Sequence, residues 1–375
     1  MIPRICLCLL LIIVIVFAFG MQKNTYTVTT VEGLKFISNI QPQWGNTQPV
    51  SLQFVQKIGS MEATDPNYIM YKVNDVVKDS KGDIYIVDSG DARIQVFNAT
   101  GKYKKTIGRK GEGPGEFSMP FNININSDGI IYIGDSDRYR YLVLEASGKE
   151  IKRVRMKTWS EIERFRLLPG NRIVKGGLSS WAATKQSNDE KDYWLFWIFN
   201  ENGEIVNMFG KPEVMFEPSR LSFYVFSEAS IEVDKDGNIY IAYRYKNRIE
   251  KYDSNGTVLF VFDRATSYKE TLFRIENHKY LRANSFSMGI GIDAKERIWV
   301  LTMKKQLEDW EKEFWEEILN VFSSDAEFEI FSKDGILLGS VPVPENLRAM
   351  RICGDRLFII DHDQVSVSEY KIVDK

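Results

Sequence analysis

Short runs in which apolar and polar residues alternate, separated by glycine-centred turns, recur along most of the chain. Lys81-Gly82-Asp83-Ile84-Tyr85-Ile86-Val87-Asp88 matches Asp128-Gly129-Ile130-Ile131-Tyr132-Ile133-Gly134-Asp135 at an offset of 47 residues, and Asp236-Gly237-Asn238-Ile239-Tyr240-Ile241 repeats the pattern again. In each copy a second glycine follows 19 residues after the first, at Gly101, Gly148 and Gly256. Glycine takes positive φ without steric cost, so a glycine turn between two period-two runs signals a hairpin. Each copy therefore predicts two hairpins joined by a loop. Three degenerate copies complete the series: Leu168-Pro169-Gly170-Asn171-Arg172-Ile173 with Asn202-Gly203, Ala294-Lys295-Glu296-Arg297-Ile298-Trp299 with Asp334-Gly335, and Gly354-Asp355-Arg356-Leu357-Phe358.

Four-stranded units of about 40 to 50 residues in series mark propeller blades, so the predicted fold is an all-β, six-bladed β-propeller. The last copy runs out of chain after its third strand. Residues 50–58 supply the missing one: Leu52, Phe54 and Ile58 alternate, and Ile58-Gly59 matches the ends of two other fourth strands, Ile107-Gly108 and Phe209-Gly210. An N-terminal strand that closes the last blade leaves the ring without an open seam. The expected division is 1–20 export segment, 21–49 N-terminal extension and 50–375 propeller. Long insertions fall at 176–191, 304–325, 210–229 and 263–288. In the second of these, Leu307, Trp310, Phe314, Ile318 and Val321 follow helical spacing and predict one inserted amphipathic helix capping the ring.

The stretch Asp88-Ser89-Gly90-Asp91-Ala92-Arg93-Ile94-Gln95-Val96-Phe97, followed by Ile107-Gly108-Arg109-Lys110-Gly111-Glu112-Gly113-Pro114-Gly115-Glu116-Phe117, closely resembles NHL-repeat propellers. In particular the chain is similar to exported, mostly uncharacterised bacterial six-bladed propellers of the NHL/TolB-like kind. The resemblance extends over residues 31–375 when the weaker blades are included. It implies fold more than function, since propellers host binding, scaffolding and catalysis alike.

The first twenty residues add a destination. Arg4 precedes an apolar run from Ile5 to Phe19, with small Ala18 and Gly20 placed for cleavage after Gly20. This reads as a signal peptide; the alternative, an uncleaved anchor, has fewer than the roughly 20 apolar residues that span a bilayer comfortably. The expectation is an exported protein of the periplasm, cell envelope or extracellular space, touching a membrane only if that segment is retained. Cleavage leaves Cys353 as the single cysteine, which excludes an intramolecular disulfide framework. A net charge of -2 over 375 residues argues against nucleic acid as a partner.

Internal repeats sort the candidate residues. Arg93, Arg140 and Arg248 each lie eight residues before their blade's second glycine, and Asp88 and Asp135 lie thirteen before it. A residue serving one active site has no reason to recur, so these five read as structural Asp–Arg pairs at the loop joining the second and third strands. Tyr85, Tyr132, Tyr240, Trp299 and Phe358 recur likewise and read as packing between blades.

Catalytic constellations are scarce. Only His278 and His362 occur, which excludes a three-histidine zinc site. Asp234-Lys235-Asp236-Gly237-Asn238 lacks the glycine position and the twelfth-position glutamate of a calcium loop. Gly111-Glu112-Gly113-Pro114-Gly115 lacks a following helix and carries its own glutamates, so it reads as an inter-blade crossing rather than a phosphate cradle.

The long insertions all belong to the second-to-third loops or the crossings, which leave by one face of the ring. Long loops on a rigid scaffold are where binding residues gather. Arg138, Tyr139, Trp181, Tyr243, Arg244 and Tyr245, carried on that face, are the candidate ligand contacts; for the tyrosines, packing between blades is the alternative. The expected function is non-enzymatic recognition of a protein, peptide or saccharide, with no catalytic or metal residues and no cofactor. The rival is a hydrolase or lactonase with a calcium ion in the central channel, drawing oxygens from Asp88, Asp135, Asp361, Asn122 or Asn124.

Overall fold

The computed structural model describes residues 24–135, 140–156, 164–176, 194–211, 229–270, 274–276, 279–281, 284–305, 323–361, 363 and 365–375. They form six four-stranded antiparallel blades. Blade 1 comprises Val73–Lys78, Ile84–Asp88, Arg93–Phe97 and Tyr103–Ile107; blade 2 comprises Pro120–Ile125, Ile131–Asp135, Arg140–Leu144 and Glu150–Arg155. Phe165–Leu168, Arg172–Gly176, Phe196–Phe199 and Ile205–Phe209 make blade 3. Ala229–Val233, Ile239–Tyr243, Ile249–Tyr252 and Val258–Phe262 make blade 4, and Ser287–Ile292, Ile298–Met303, Ala326–Phe331 and Leu337–Pro342 make blade 5. In blade 6, Ala349–Cys353, Arg356–Asp361 and Ser366–Asp374 are completed by Val50–Ile58, which pairs with Ser366–Asp374 from Asp374↔Val50 to Val367↔Ile58.

That closing strand is held by more than its ladder. Fully buried Glu369 takes a hydrogen bond from Gln56 at 2.6 Å and ion pairs with Lys78 at 2.9 Å and Arg356 at 3.0 Å, while Phe54 meets Tyr370 edge-on. One carboxylate thus ties the N-terminal strand to the C-terminal blade and to blade 1.

The segment before it forms a strap over the outer rim. Tyr26–Val31 and Leu34–Asn39 make a hairpin whose second strand adds, in parallel, to Val258–Phe262, so blade 4 becomes a six-stranded sheet. Asn39 fixes the junction: its amide nitrogen donates to the carbonyls of Asp263 and Gly335, and its side-chain oxygen accepts from Leu337 N–H. Gln43 and Trp44 then donate their backbone N–H groups to Leu337 and Leu338 at the edge of blade 5. The strap therefore touches blades 4, 5 and 6 in turn.

Apolar side chains from neighbouring blades meet between the sheets. Tyr85, Tyr132, Tyr240, Trp299 and Phe358 are all buried there. Close packing also explains the glycine that ends the fourth strand of blade 1: Gly108 has φ +77°, and a Cβ on it would lie 2.1 Å from the Phe117 ring. Among the described residues there is no α-helix, and none that is long and apolar enough to cross a membrane. The amphipathic helix expected over Leu307 to Val321 lies outside the described residues, as do the export segment and the insertion bearing Trp181.

Candidate functional site

The recurrent Asp and Arg positions are the simplest to place. Asp88 is fully buried at the end of its strand; its Oδ1 accepts from Tyr71 and Lys72 N–H at 3.1 and 2.9 Å, and its Oδ2 faces Arg93 at 3.2 Å. Asp135 does the same one blade on, accepting from Met119 N–H at 2.6 Å and from Arg140 Nε and Nη2 at 2.9 and 2.7 Å. Each pair fastens the crossing that enters a blade to the loop inside it.

Blade 4 departs from this rule. Tyr243 stands where the aspartate would be, and Arg248 instead pairs with Glu250 at 2.6 Å. Buried Glu250 also accepts from the hydroxyls of Tyr243, at 2.9 Å, and Tyr252. Tyr243 is only 5% exposed, and its ring meets Phe196 of blade 3 edge-on at 6.3 Å. Burial, then the Glu250 charge, hold its hydroxyl well above the ordinary tyrosine range. Tyr245 is buried as well, beneath the Arg244 guanidinium, and the Arg244 carbonyl accepts from Phe286 N–H. Of the expected ligand contacts, then, the structure sets Tyr243 and Tyr245 inside the ring. Arg138, Tyr139 and Trp181 lie outside the described residues.

The innermost strands carry a set of polar residues that the repeats do not share. One register, opposite the aromatic position of the second strand, runs around the axis as Val77, Asn124, Arg166, Glu232, Gly291 and Arg351. Asp75 and Asn122 sit two residues earlier on blades 1 and 2. All of the polar members are buried, and they are wired to one another. Asn122 donates to Asp75 at 2.5 Å, Asn124 to Asn122 Oδ1 at 3.1 Å, Arg351 to Asn124 Oδ1 at 3.1 Å and Arg166 to Glu232 at 3.0 Å. The second Arg351 nitrogen lies 3.6 Å from Asp75. Two carboxylates and two guanidinium groups cancel. Burial, followed by the nearby Arg351 charge, pulls the Arg166 pKa below its ordinary value. Cys353, beside Arg351, is pushed above the ordinary thiol range by burial, which keeps it in the unreactive thiol form.

Most of these oxygens are already taken, Glu232 Oε2 being the one carboxylate oxygen of the set that is buried without a hydrogen-bond partner. Asp75 also accepts from Val76 and Ile123 N–H at 2.9 and 3.1 Å, and Asn122 Oδ1 from Phe165 N–H at 3.1 Å. Asp361 accepts from Asp363 N–H. Among the described residues no group of three or more His, Cys, Asp or Glu side chains is arranged to hold a metal ion. The glycine-rich crossing is equally self-occupied: Gly113 N–H binds Glu116 and Gly115 N–H binds Glu150, at 2.8 and 2.6 Å.

The loop-bearing face is more open. A cleft of about 760 Å³ runs between the strap and the crossing after blade 4, lined by Asn39, Ile40, Asn247, Asp263, Tyr268 and Glu270 among others. Its floor is Arg264, which donates to Phe286 O at 2.8 Å and lies 3.4 Å from Glu329. Burial pushes the Glu329 carboxyl up to about 7. On the same face, just ahead of the innermost strands of blades 1 and 2, Tyr71 and Met119 are 55% and 37% exposed, Tyr71 with the Arg93 guanidinium over its ring. These two were missed in the sequence because they belong to no motif; their only mark is an apolar residue one or two positions before a strand that has its own core set.

Comparison with solved structures agrees on architecture. A protein from Bacteroides fragilis named as a candidate exported protein matches with a TM-score of 0.58 at 14% identity, covering 91% of this chain and 99% of the other. A member of the DUF4221 family from Bacteroides vulgatus matches with a TM-score of 0.56 at 11% identity, covering 87% and 99%. At such identities the likeness is one of fold. No curated protein matches the sequence. The model of the DUF5128 family, described as a 6-bladed beta-propeller, matches residues 60–289. With six blades observed and more than half of its length matched, the chain belongs to the DUF5128 family of six-bladed β-propellers.

Proposed function

We propose that this protein is an exported, non-enzymatic recognition propeller of the cell envelope, of the NHL type, that presents its loop-bearing face to a protein, peptide or saccharide. The observation that carries this reading is the state of the channel. Apart from Glu232 Oε2, its carboxylate and amide oxygens are engaged by backbone N–H groups and by Arg166 and Arg351, whereas a channel calcium ion would need six to eight oxygens turned towards it. Binding is thereby left to the loop face, where the cleft and the exposed Tyr71 and Met119 lie. Aromatic side chains and methionine are enriched in recognition surfaces. The apolar N-terminal run supports export.

Peptide and glycan arrays probed with the purified protein test this. Replacing Tyr71 and Met119 together by alanine should weaken any captured ligand by tenfold or more without changing the melting temperature. Charge reversal at Lys104 and Lys105 on the outer rim should have no effect. The opposite pattern would move the functional surface to the rim, and stoichiometric calcium retained through dialysis but lost in Asp75→Asn would favour the hydrolase.

A further inference from the structure

The cleft beside the strap rests on buried ionisable groups that ligand contact alone gives no task. Arg264, its side chain 1% exposed, begins the crossing out of blade 4, and Glu329, 10% exposed, stands on the third strand of blade 5. The two Nη groups of Arg264 donate to Phe286 O at 2.8 Å and to the Tyr268 hydroxyl at 3.4 Å. Nε carries a single N–H. It donates to Asn247 Oδ1 at 3.4 Å and lies the same 3.4 Å from Glu329 Oε2, a buried oxygen with no hydrogen-bond partner. One donor thus stands between two acceptors.

Asn247 stitches the cleft wall together. From the loop between the second and third strands of blade 4, it donates Nδ2 to Arg264 O at 2.9 Å and its backbone N–H to Glu270 Oε1 at 2.8 Å. Its Oδ1 accepts the Arg264 backbone N–H at 3.2 Å as well as Nε. Loop and crossing therefore meet through a small set of hydrogen bonds, and the Nε contact is one that faces a competing acceptor.

The competition turns on charge, since an ionised carboxylate accepts a hydrogen bond more strongly than a neutral amide does. Burial pushes the Glu329 carboxyl up to about 7, against the pull of Arg264 and with a smaller push from Glu327, two residues along the same strand. The residues paired with Glu329 in the sheet, Val300 and Ser340, carry no charge. Tyr268 is held above the ordinary tyrosine range by burial and stays a hydroxyl. On the blade 4 loop, the Lys246 ammonium lies over the Tyr243 ring at 5.7 Å and Arg248 pairs with Glu250. Glu329 is thus the member of this set whose charge changes near neutral pH.

We propose that the cleft wall carries a proton-operated latch: with Glu329 neutral the Arg264 Nε–H closes on Asn247 Oδ1, and with Glu329 ionised it turns to Oε2 and frees the blade 4 loop to move off the crossing. The latch regulates a binding face, and to that extent it rests on the function proposed above. Its test needs no ligand, so failure of the latch leaves that reading standing.

The measurement is amide hydrogen exchange of the segments 244–250 and 262–270 in the purified protein between pH 5.5 and 8.5, expressed as protection relative to the unfolded chain so that the intrinsic pH dependence of exchange cancels. Protection should fall by about twofold to tenfold, the worth of one hydrogen bond, with a midpoint near 7. Glu329→Gln, permanently neutral, should keep the low-pH protection throughout. Glu327→Gln, at a half-buried side chain, should move the midpoint to lower pH by removing a like charge. His278, the one histidine of this crossing, lies outside the described residues, and His278→Gln should leave the profile unchanged. Equal protection at both ends of the range would overturn the proposal. So would a transition that survives Glu329→Gln, one that ignores Glu327→Gln, or one that His278→Gln abolishes.

Discussion

Replacing Asp135 by alanine isolates what the recurrent Asp–Arg pair contributes. Asp135 is fully buried, and its Oδ2 receives two Arg140 nitrogens at 2.9 and 2.7 Å while Oδ1 receives Met119 N–H at 2.6 Å. Removing it strands a guanidinium whose side chain is only 12% exposed, together with the amides of Ser118 and Met119. Breaking a buried pair from one side costs about 3 to 5 kcal/mol. A propeller of this size unfolds with an entropy, at about 2.1 cal/mol/K per residue, that converts each kcal/mol to roughly 1.5 °C. The expected loss is therefore about 5 to 7 °C in Tm. Arg140→Ala should cost less, about 1 to 3 kcal/mol, because the aspartate keeps its backbone donors. The double variant should be less destabilised than the sum of the two. Calorimetry on the three variants, with Arg109→Ala as a control at a side chain 82% exposed, decides the matter. If Asp135→Ala melts with the wild type, the pair is a surface feature and its recurrence has another cause.

Two further outcomes follow from buried groups elsewhere in the ring. Burial raises the Glu329 carboxyl from 4.5 to about 7; the folded chain thus holds this proton more tightly than the unfolded one. Stability from this group is present below about 4.5 and lost as pH rises through about 7. Glu329→Gln, which keeps an acceptor towards Arg264, should therefore gain roughly 2 to 3 kcal/mol on the wild type between pH 5 and pH 8 in chemical denaturation, and parallel pH profiles would refute this. Gly108→Ala must accept φ +77° and a Cβ 2.1 Å from the Phe117 ring, so a loss of about 2 to 5 kcal/mol is expected, and a neutral result would mean that the crossing after blade 1 yields freely.

The blades were legible because their signals are local. Period-two alternation and a positive-φ glycine act within ten residues, so Gly82, Gly101, Gly129, Gly148, Gly237 and Gly256 announce their hairpins without reference to the rest of the chain. The closing strand was legible for a related reason: Ile58-Gly59 repeats the ending of the other fourth strands. The strap was not. Leu34–Asn39 pairs in parallel with Val258–Phe262, and a partner more than 200 residues away leaves no trace in the pattern of Tyr26 to Asn39. Its anchor, Asn39, is a single buried amide in a run that otherwise alternates with threonine and serine.

Blade 4 shows where the repeat argument can be pressed further. Asp88 and Asp135 align with Tyr243, so a position that holds a buried carboxylate twice holds a tyrosine the third time while Arg248 is kept. A retained arginine requires a replacement anion, and the aligned copies point to it: Glu250 stands where blades 1 and 2 have Gln95 and Leu142. Structure and alignment agree on that exchange, with Glu250 receiving Arg248, Tyr243 and Tyr252 together. Read this way, Tyr243 belongs to the scaffold. The converse holds in the channel. Val77, Asn124, Arg166, Glu232, Gly291 and Arg351 share one register and no residue type beyond the two arginines, so packing between like blades does not dictate them. Their charges balance only as a set drawn from different blades, with Asp75 facing Arg351 and Glu232 facing Arg166. That requirement is invisible to any alignment of one blade with the next, because the complement of each residue stands on the neighbouring blade. It also gives the propeller a unique internal order, since exchanging two blades would set like charges against one another in a buried space where an unpaired charge costs several kcal/mol.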